Sequence, residues 1–529
     1  MNTAEFLTIS AAIVPDRVAL AGPDERITYA DLQSRANRLA QALQAMGVGR
    51  GQSVGVMAVN CPEFVEIYFA AAAVGATLVP LNFRAKTEEL TYMIDSTDVS
   101  TLFISERYYS IYQGMQSATP SVKHVIPLDF ERDGLTSYKA LRDAQEDIPV
   151  FADVDDEDAT LIIFTSGTTS LPKGVVLSYK ALTALVVNTQ APADPTQDQQ
   201  VVLVSVGFYH IAGATTMMSA AFSGRRLVIL PAFDPQAWLA AVEKEGVTHA
   251  FVVPTMLKRI MEADDFAQYN LESLELITYG AAPMPYEVVR QAVDVFAPHA
   301  ANVGLMNSYG QTEATGSMTY LAPDDHRMDG TPEENDLKME RLRSVGRPMS
   351  DIDVAILAPD GSVLPHGENG EICIRGDRVM RGYNKRDDDT DSALKDGWLH
   401  TGDIGRIDEG GYLFITGRLK DMVIRGGENI APAEIEQVLE DHPGIAEAAV
   451  IGVPDVEWGE VTKAILVAAQ DGMVPSEQEL TEYVKSRLAS YKAPAAYQWV
   501  SELPRNHLGK VLKTELREKY GAPVAKATK

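Results

Sequence analysis

The chain has 529 residues, of which 46% are hydrophobic and 23% are charged, and its formal net charge is -28. This length exceeds what one hydrophobic core usually supports, so we expect at least two domains in a soluble protein. The acidic balance argues against a nucleic-acid partner, because phosphate backbones require clustered Lys and Arg. The only cysteines are Cys61 and Cys373, which favours a reduced, cytoplasmic protein without disulfides.

Neither a secretory signal nor a membrane helix is expected from the sequence. The first ten residues lack a basic segment and a sustained apolar core. The longest apolar run, Phe69 to Leu81, is shorter than the roughly 20 residues that a membrane helix needs.

Helix and strand patterns alternate from the N-terminus to about residue 320. Apolar residues at helical spacing between Leu32 and Met46 predict a helix that ends at Gly47. The strand predictions are Ser53–Met57, Val74–Pro80, Leu161–Phe164, Val201–Ser205, Arg226–Leu230, His249–Val253, Leu276–Thr278 and Val303–Met306, and Glu63–Ala73 is a second predicted helix. Such alternation indicates parallel sheets covered by helices on both faces.

The pattern changes twice further along the chain. From Gly346 to Phe414 short strands separated by glycine-rich turns predict a small antiparallel region or barrel. We place a domain boundary at Lys420, after which about 110 residues suffice for a small α+β domain. Its predicted elements are helices Pro432–Leu439 and Glu477–Leu488 and strands Ala448–Gly452 and Lys463–Val467.

A loop of small, hydroxyl-bearing and glycine residues, Thr165 to Gly174, directly follows the predicted strand Leu161–Phe164. Backbone amides, hydroxyls and Lys173 could together bind a polyphosphate, although a connector without a ligand would show the same residue types. A Walker A loop is excluded, because Pro172 precedes the lysine, Gly174 follows it and the required hydroxyl is missing.

Three further motifs contain residue types that are suited to catalysis or to nucleotide binding. The segment Asn307 to Glu313 follows a predicted strand and combines an aromatic ring, hydroxyls and a carboxylate, which could stack a base, contact a phosphate and hold Mg²⁺. Asp403 lies on a predicted tight turn, where a carboxylate can accept hydrogen bonds from both ribose hydroxyls. Lys510 follows a glycine near the C-terminus. Taken alone, each motif also fits an ordinary turn or a solvated lysine.

In this order and spacing, the four motifs resemble the acyl-adenylate-forming superfamily, which includes acyl-CoA synthetases, peptide-synthetase adenylation domains and luciferases. The resemblance covers essentially the whole chain. It implies an α/β protein with a large N-terminal domain (residues 1–419) of parallel αβαβα-type sheets plus a small antiparallel barrel region. A small, mobile α+β domain (residues 420–529) follows.

The resemblance also implies roles for individual residues. Thr165, Ser166, Gly167, Thr168, Thr169 and Lys173 would bind the ATP β- and γ-phosphates, and Gly280, Ala281, Ala282, Pro283 and Tyr309 the adenine. Asn307 and Gly310 belong to the same nucleotide site. Thr312 and Glu313 would contact phosphate and Mg²⁺, and Asp403 and Arg418 the ribose. Lys510 would be the adenylation lysine, and Lys420 the hinge.

For the acceptor, the resemblance implies coenzyme A. Gly427, in the loop Arg425–Asn429, would leave room for pantetheine, and Trp458 would face CoA. Arg84 is a weaker candidate for a CoA phosphate. The segment Gly207–Gly213 contains no aspartate that could neutralise an amino-acid ammonium, which argues against the amino-acid-activating branch.

The acyl pocket implied by the resemblance is mostly apolar and contains no fixed charge, which predicts a hydrophobic monocarboxylic acid. Its residues are His210, Ile211, Gly213, Val252, Val253, Gly280, Ala281, Met306, Ser308 and Thr315. His210 is also a candidate catalytic residue that touches the carboxylate. Aliphatic, alicyclic and aryl acids are not distinguished by these residues.

The predicted reaction joins the acid to CoA through an acyl-AMP intermediate, with release of AMP and pyrophosphate. The expected partners are therefore a carboxylic acid, ATP and CoA, with a homodimer as the assembly to test. Two alternatives stay open: an enzyme that loads a carrier protein, and a catalytically silent nucleotide-binding homologue. Ser170 keeps the second one open, because the superfamily usually has glycine there.

Overall fold

The computed structural model describes residues 1–22, 25–165, 171–282, 284, 286–296, 298–300, 303–426, 428–456, 458–469, 474–505 and 510–523. The first strands are β1 (Val18–Ala21), β2 (Arg26–Thr28), β3 (Ser53–Met57), β4 (Thr77–Pro80), β5 (Val99–Ile104), β6 (His124–Pro127), β7 (Ala159–Thr165), β8 (Lys173–Ser178), β9 (Val201–Val204), β10 (Arg226–Ile229), β11 (His249–Val252), β12 (Leu276–Gly280), β13 (Gly304–Gln311) and β14 (Gly316–Leu321). The later strands are β15 (Arg347–Pro348), β16 (Asp353–Leu357), β17 (Gly370–Arg375), β18 (Gly382–Tyr383), β19 (Leu394–Lys395), β20 (Trp398–Ile407), β21 (Leu413–Arg418), β22 (Val423–Arg425), β23 (Glu428–Ile430), β24 (Ile445–Asp455), β25 (Gly459–Ala468) and β26 (Ala496–Val500).

The α-helices fill the connections between these strands. They are α1 (Glu5–Ile13), α2 (Tyr29–Ala45), α3 (Pro62–Ala73), α4 (Thr87–Ser96), α5 (Glu106–Met115), α6 (Tyr138–Asp143), α7 (Tyr179–Thr189), α8 (Ile211–Phe222), α9 (Pro235–Glu245), α10 (Pro254–Met261), α11 (Tyr286–Phe296), α12 (Pro323–His326), α13 (Pro332–Arg341), α14 (Asp387–Ala393), α15 (Pro432–Glu440), α16 (Glu477–Lys485) and α17 (Lys513–Tyr520). None of these described helices combines the length and the apolar character that a membrane span requires.

Local sequence signals explain where several helices begin and end. The Thr28 hydroxyl caps α2 by accepting a hydrogen bond from the Asp31 amide at 3.1 Å. Helix α9 starts at Pro235, with Asp234 as its cap, and ends at Gly246, whose φ of 61° lies in the left-handed region. The cap at Thr28 explains why the predicted helix of residues 32–46 lies where the structure has α2.

Two large sheets form the body of the molecule. The first has the order β15-β14-β13-β12-β11-β9-β10-β1-β2 and is parallel from β13 to β1. The second has the order β18-β8-β7-β4-β3-β5-β6 and is parallel from β7 to β6. Apolar residues of α1, α2, α3 and α8 fill the space between the sheets, and separate cores cover the outer faces. This is the predicted αβαβα layering.

Two smaller sheets follow. Strands β16, β17, β19, β20 and β21 form an antiparallel sheet, as the sequence predicted for this region. Beyond Lys420, strands β22 to β26 form a separate sheet with apolar cores on both faces. The chain is therefore an α/β protein with a distinct C-terminal sheet.

Two motif segments that could form turns lie in strands instead. The segment from Asn307 to Gln311 belongs to β13, because it pairs with β14. The segment from His400 to Asp403 lies inside β20, where the register against β17 shifts from Cys373–His400 to Glu371–Ile404. The turn prediction at Asp403 was wrong, because pairing with a distant strand is not visible in local residue types, and the turn alternative for Asn307–Gln311 is not observed either.

Candidate active site

The carboxyl ends of the parallel strands and the antiparallel sheet meet where the sequence motifs converge. Gly280, the last residue of β12, pairs with Ser308 of β13. A Cβ atom on Gly280 would lie 2.1 Å from the Ser308 carbonyl oxygen, so only glycine fits this approach. The next residue, Ala281, has a φ of 68°, which turns the chain away from the sheet. Pro283 lies outside the described residues.

The phosphate-loop candidate begins and ends on paired strands. Thr165 ends β7 and pairs with Lys173, the first residue of β8. The Lys173 ammonium forms an ion pair with Asp389 and lies 4.9 Å from the centre of the Tyr383 ring. Residues 166–170, which include Ser166, Gly167, Thr168, Thr169 and Ser170, lie outside the described part of the chain.

Glu313 lies beside this lysine. Its carboxylate accepts a hydrogen bond of 2.9 Å from the Tyr383 hydroxyl, and Tyr383 is also the ring next to Lys173. Burial raises the pKa of Glu313 above its ordinary value, while the Tyr383 hydrogen bond and the positive charges of Arg418 and Lys173 oppose that shift. Glu313 and its neighbour Thr312 occupy a short 3-10 turn that follows β13.

The ribose candidates form a connected group. Asp403 is buried, with 4% of its surface exposed, and lies opposite Arg418 across strands β20 and β21. Its Oδ1 atom accepts from Arg418 Nε at 2.9 Å, and its Oδ2 atom accepts from the Tyr309 hydroxyl at 2.7 Å. Burial and the Asp403 charge raise the pKa of Tyr309 well above its ordinary value, so its hydroxyl keeps its proton. Tyr309 therefore connects the candidate adenine and ribose residues.

Lys510 of the C-terminal part faces the same group. Burial and the positive charges of Arg418 and Lys420 lower the pKa of Lys510 to about 8, and the charges of Asp403 and Asp421 partly offset this. These influences indicate that Lys510 lies close to the Asp403–Arg418 pair. The distant parts of the sequence motifs thus come together at one site.

The candidate hinge lies between the antiparallel sheet and the C-terminal sheet. Lys420 is exposed and sits in the 3-10 turn Leu419–Asp421, which joins β21 to β22. Arg517 of α17 donates to Asp421 at 2.7 Å. An ion pair of 3.5 Å between Arg343, just beyond α13, and Asp441, just beyond α15, links the body of the molecule to the C-terminal sheet. We call it the interdomain ion pair.

His210 precedes α8 and lies beside a cavity. Its ring centre is 4.4 Å from that of Tyr209, and its amide donates to the Gly207 carbonyl at 3.0 Å. The cavity has a volume of about 150 Å³, and its lining residues are Asn60, Phe83, Arg84, Ser205, Val206, Gly207, Tyr209, His210, Pro231, Ala232, Phe233, Val253, Thr255, Met256 and Arg259.

Only part of the predicted acyl pocket lines this cavity, namely His210 and Val253. The other predicted pocket residues lie elsewhere: Ile211 and Gly213 begin α8, Val252 ends β11, Gly280 ends β12, Ala281 follows it, and Met306 and Ser308 belong to β13. Thr315 is buried, and its hydroxyl donates to the Arg378 carbonyl at 2.5 Å.

Sequence reasoning missed two lining residues that have a clear structural role. Asn60 follows β3, and its amide group donates to the Val206 carbonyl at 2.9 Å and accepts from the Phe208 amide at 2.9 Å. It therefore joins the second sheet to the segment before His210. Arg259 lies in α10, with its guanidinium 5.3 Å from the Phe233 ring centre. A polar residue three positions after a predicted buried strand was the available signal for Asn60.

The CoA candidate Trp458 lies between strands β24 and β25 of the C-terminal sheet. Trp458 is 44% exposed, and its carbonyl accepts from the Gly426 amide at 2.8 Å. The Arg425 guanidinium lies 5.5 Å from the centre of the Trp458 rings. Trp458 thus adjoins the loop that contains Gly427, which itself lies outside the described residues.

Comparisons with known proteins give matches over nearly the whole chain. The family model described as "AMP-binding enzyme" matches residues 7–384, and the model "AMP-binding enzyme C-terminal domain" matches residues 434–510. A feruloyl-CoA synthase of Amycolatopsis is 34% identical over 511 residues, covering 97% of each chain. A long-chain-fatty-acid–CoA ligase of Mycobacterium tuberculosis is 34% identical over 527 residues, covering 99% of this chain and 100% of that protein.

Among solved structures, an o-succinylbenzoate CoA synthetase of Bacillus subtilis in complex with its acyl-adenylate intermediate is similar. It is 29% identical, has a TM-score of 0.80 and matches 97% of each chain.

Proposed function

The chain belongs to the AMP-binding enzyme family, and on that premise we propose that it is an ATP-dependent carboxylate–CoA ligase that works through an acyl-AMP intermediate. Its relatives are acid–thiol ligases that use different acids, which supports the reaction class more strongly than any one acid.

The observation that carries this proposal is the continuous group of charged residues at one site. Burial raises the pKa of Glu313, and the positive charges of Lys173 and Arg418 act to lower it. The charge of Arg418 acts to lower the pKa of Lys510, and the charge of Asp403 acts to raise it. Residues from four separate motifs therefore lie near one another, and together they could contact the phosphates and the ribose of ATP. Burial and neighbouring cations together lower the pKa of Lys510 to about 8, and perturbed pKa values of this kind are concentrated at functional sites.

In the first step, the substrate carboxylate attacks the α-phosphorus of ATP and pyrophosphate leaves. Both reactants are anions, so positive charge at the α-phosphate lowers the barrier. Lys510 supplies that charge, Lys173 exchanges Asp389 for the β- and γ-phosphates, and the Asp403 carboxylate holds the ribose. The product is a mixed anhydride with AMP as a stable leaving group.

Glu313 is suited to hold Mg²⁺. Its carboxylate is an oxygen ligand of the kind that Mg²⁺ prefers, and burial already disfavours its unpaired charge. When bound, Mg²⁺ would neutralise phosphate charge during adenylation. The Tyr383 hydroxyl holds the Glu313 carboxylate by a hydrogen bond, and the Tyr383 ring lies next to Lys173.

In the second step, the CoA thiol attacks the acyl carbonyl and AMP leaves. The family resemblance implies that Lys510 lies on the side from which the thiol would have to approach. We therefore propose that residues 1–419 and 420–529 are separate domains and that the smaller one rotates at Lys420 after adenylation. Rotation would bring Gly427 and Trp458 to the thiol entrance.

The acid proposed for this chain is hydrophobic. Aromatic and aliphatic side chains beside His210 provide apolar contact surface, with Arg84 and Arg259 also lining the cavity, and we propose that His210 touches the substrate carboxylate. A cytoplasmic location and a homodimeric assembly stay predictions, which cell fractionation and analytical ultracentrifugation would test.

A half-reaction assay over a panel of acids tests the proposed function. We expect acid-dependent release of pyrophosphate without CoA, and formation of a thioester when CoA is added. If no acid in the panel led to pyrophosphate release, the proposed enzymatic activity would be contradicted. Acyl-AMP formation without transfer to CoA, but with transfer to a phosphopantetheinylated carrier protein, would indicate the carrier-loading alternative.

A further inference from the structure

Three side chains that can bind metal share one face of the antiparallel sheet. Glu371 and Cys373 are two residues apart on β17, so they point to the same side. His400 lies directly opposite Cys373 on the neighbouring strand β20. The register shift in β20 begins just beyond this pair, so the three side chains gather at an irregularity of the sheet.

Their ligand atoms lie within 4.8 Å of one another. His400 Nδ1 is 2.7 Å from Glu371 Oε2 and 3.5 Å from Cys373 Sγ. In a tetrahedral zinc site, bonds of about 2.0 Å to nitrogen and about 2.3 Å to sulfur separate those two atoms by about 3.5 Å. The imidazole and the thiol therefore already have the spacing that zinc requires.

The carboxylate would have to move slightly away from the imidazole. It is hydrogen-bonded to the imidazole, and a metal between them would hold the two atoms about 3.3 Å apart. The metal would thus replace the shared proton. The imidazole proton moves to Nε2, and the thiol proton leaves to solvent, so one proton is released for each metal bound to neutral histidine.

Access to the cluster is from one side. Cys373 is fully buried, whereas the side chains of Glu371 and His400 are 19% and 20% exposed. A cation can therefore enter between the carboxylate and the imidazole and meet the thiol at the base. Nitrogen, sulfur and carboxylate together favour a borderline or soft divalent cation over Mg²⁺ or Ca²⁺.

We propose that Glu371, Cys373 and His400 form a binding site for a thiophilic divalent cation such as Zn²⁺, with three protein ligands and an exchangeable fourth position. This site is separate from Glu313, the residue assigned to Mg²⁺.

Occupancy of the site should reach the nucleotide pocket. The other carboxylate oxygen of Glu371 accepts from the Gly402 amide at 3.1 Å, and Gly402 directly precedes Asp403. A carboxylate drawn toward a metal would alter the support of this segment and weaken the hold of Asp403 on the ribose. This second effect rests on the proposed function, whereas metal binding itself does not.

Cobalt(II) binding to the metal-free full-length chain tests the site. A thiolate ligand gives Co²⁺ a near-ultraviolet charge-transfer absorption, so we expect one such centre per chain. Cys61→Ser is the matched control, because the sequence has no other cysteine besides Cys373, and it should keep the absorption. Cys373→Ala should abolish it, and His400→Gln should weaken binding at least tenfold.

Different results would overturn the metal site and its coupling to the nucleotide pocket. A wild-type chain without the absorption, or a folded Cys373→Ala chain that retains it, would overturn the metal site. Circular dichroism checks the fold, and His400→Gln serves if Cys373→Ala does not fold. For the coupling, Zn²⁺ should raise the KM for ATP severalfold in wild type and Cys61→Ser, with reversal by chelator. An equal rise in Cys373→Ala would overturn the coupling and leave the metal site intact.

Discussion

Lys510 is held where its own charge is disfavoured. Burial and two neighbouring cations lower its pKa to about 8, although its task in the proposed first step is to carry positive charge. The triphosphate supplies the missing negative charge, so the electrostatic gain of Lys510 is largest when ATP is bound. A lysine whose charge is already balanced by the protein would have less to offer the transition state.

Substitution Lys510→Ala should separate the two half-reactions. Removal of this charge should slow acyl-AMP formation by about 100-fold or more, which is the usual effect of deleting one transition-state donor. Thioester formation from supplied acyl-AMP should change by less than about threefold, because Lys510 has no part in it. Pyrophosphate exchange and thioester absorbance measure the two rates. An equal loss of both rates would contradict the separate roles.

The pH dependence of adenylation should report the same lysine. Its pKa is lowered, so the cation required for catalysis is present below about pH 8 and is lost above it, well before an ordinary lysine would titrate. We expect kcat/KM for ATP in pyrophosphate exchange to fall tenfold per pH unit above about 8. The thioester step from supplied acyl-AMP should rise instead, since it needs a thiolate. A flat exchange profile to pH 10 would contradict this prediction.

At the level of elements, close backbone contacts set the shape of the pocket. Gly213, near the start of α8, faces the loop before His210, and a Cβ atom there would lie 2.4 Å from the Gly207 carbonyl oxygen. Helix α8 can therefore approach the loop only because this residue has no side chain. The position of His210 depends on that approach.

A pair of glycine substitutions tests this contact. Gly213→Ala should lower the melting temperature by several degrees and reduce acid activation, because backbone must move to admit the methyl group. Gly114→Ala is the matched control: Gly114 lies in helix α5 and a Cβ atom there would meet nothing within 4 Å. Alanine favours helices over glycine by about 0.5–1 kcal/mol, so this variant should be as stable as wild type or more so. Melting curves of both variants measure this difference in stability.

Elements with strong local signals were predictable from the sequence. Strand β3 spans the predicted residues Ser53–Met57, and helix α3 begins one residue before the predicted Glu63. The motifs also led to the group that the structure brings together around Asp403. What the sequence did not reveal depends on distant partners: Asn307–Gln311 is strand because β14 pairs with it. Asn60, which follows strand β3, and Arg259, which lies in helix α10, line one cavity although they are far apart in the sequence.

At the scale of the whole molecule, we propose that the C-terminal sheet is held in the arrangement suited to adenylation. Lys510 lies near Asp403, whose charge influences its pKa, and the interdomain ion pair joins Arg343 to Asp441. Both partners of that pair are about one-third exposed, so it contributes at most about 1 kcal/mol. A small contribution suits a joint that has to open in every catalytic cycle.

The substitutions Arg343→Ala and Asp441→Ala should shift this balance. Each removes an interaction made in the present arrangement, so adenylation should slow and thioester formation should speed up, each by no more than about fivefold. The double variant should resemble either single variant, because both remove the same pair. Additive effects in the double variant would show that the two side chains act independently. Half-reaction rates at low ionic strength give the clearest measurement.

The hydrogen bonds of Asp403 bear on which sugars the enzyme accepts. Each carboxylate oxygen already has a protein donor, one from Arg418 and one from Tyr309. A nucleotide that lacks a ribose hydroxyl therefore leaves no buried charge without a partner, and its penalty is only the hydrogen bond it fails to make, about 1.5–3 kcal/mol. That is roughly a tenfold to 150-fold preference for ATP over its deoxy analogue, far below the 10⁴-fold rejection typical of sites whose polar groups depend wholly on the substrate.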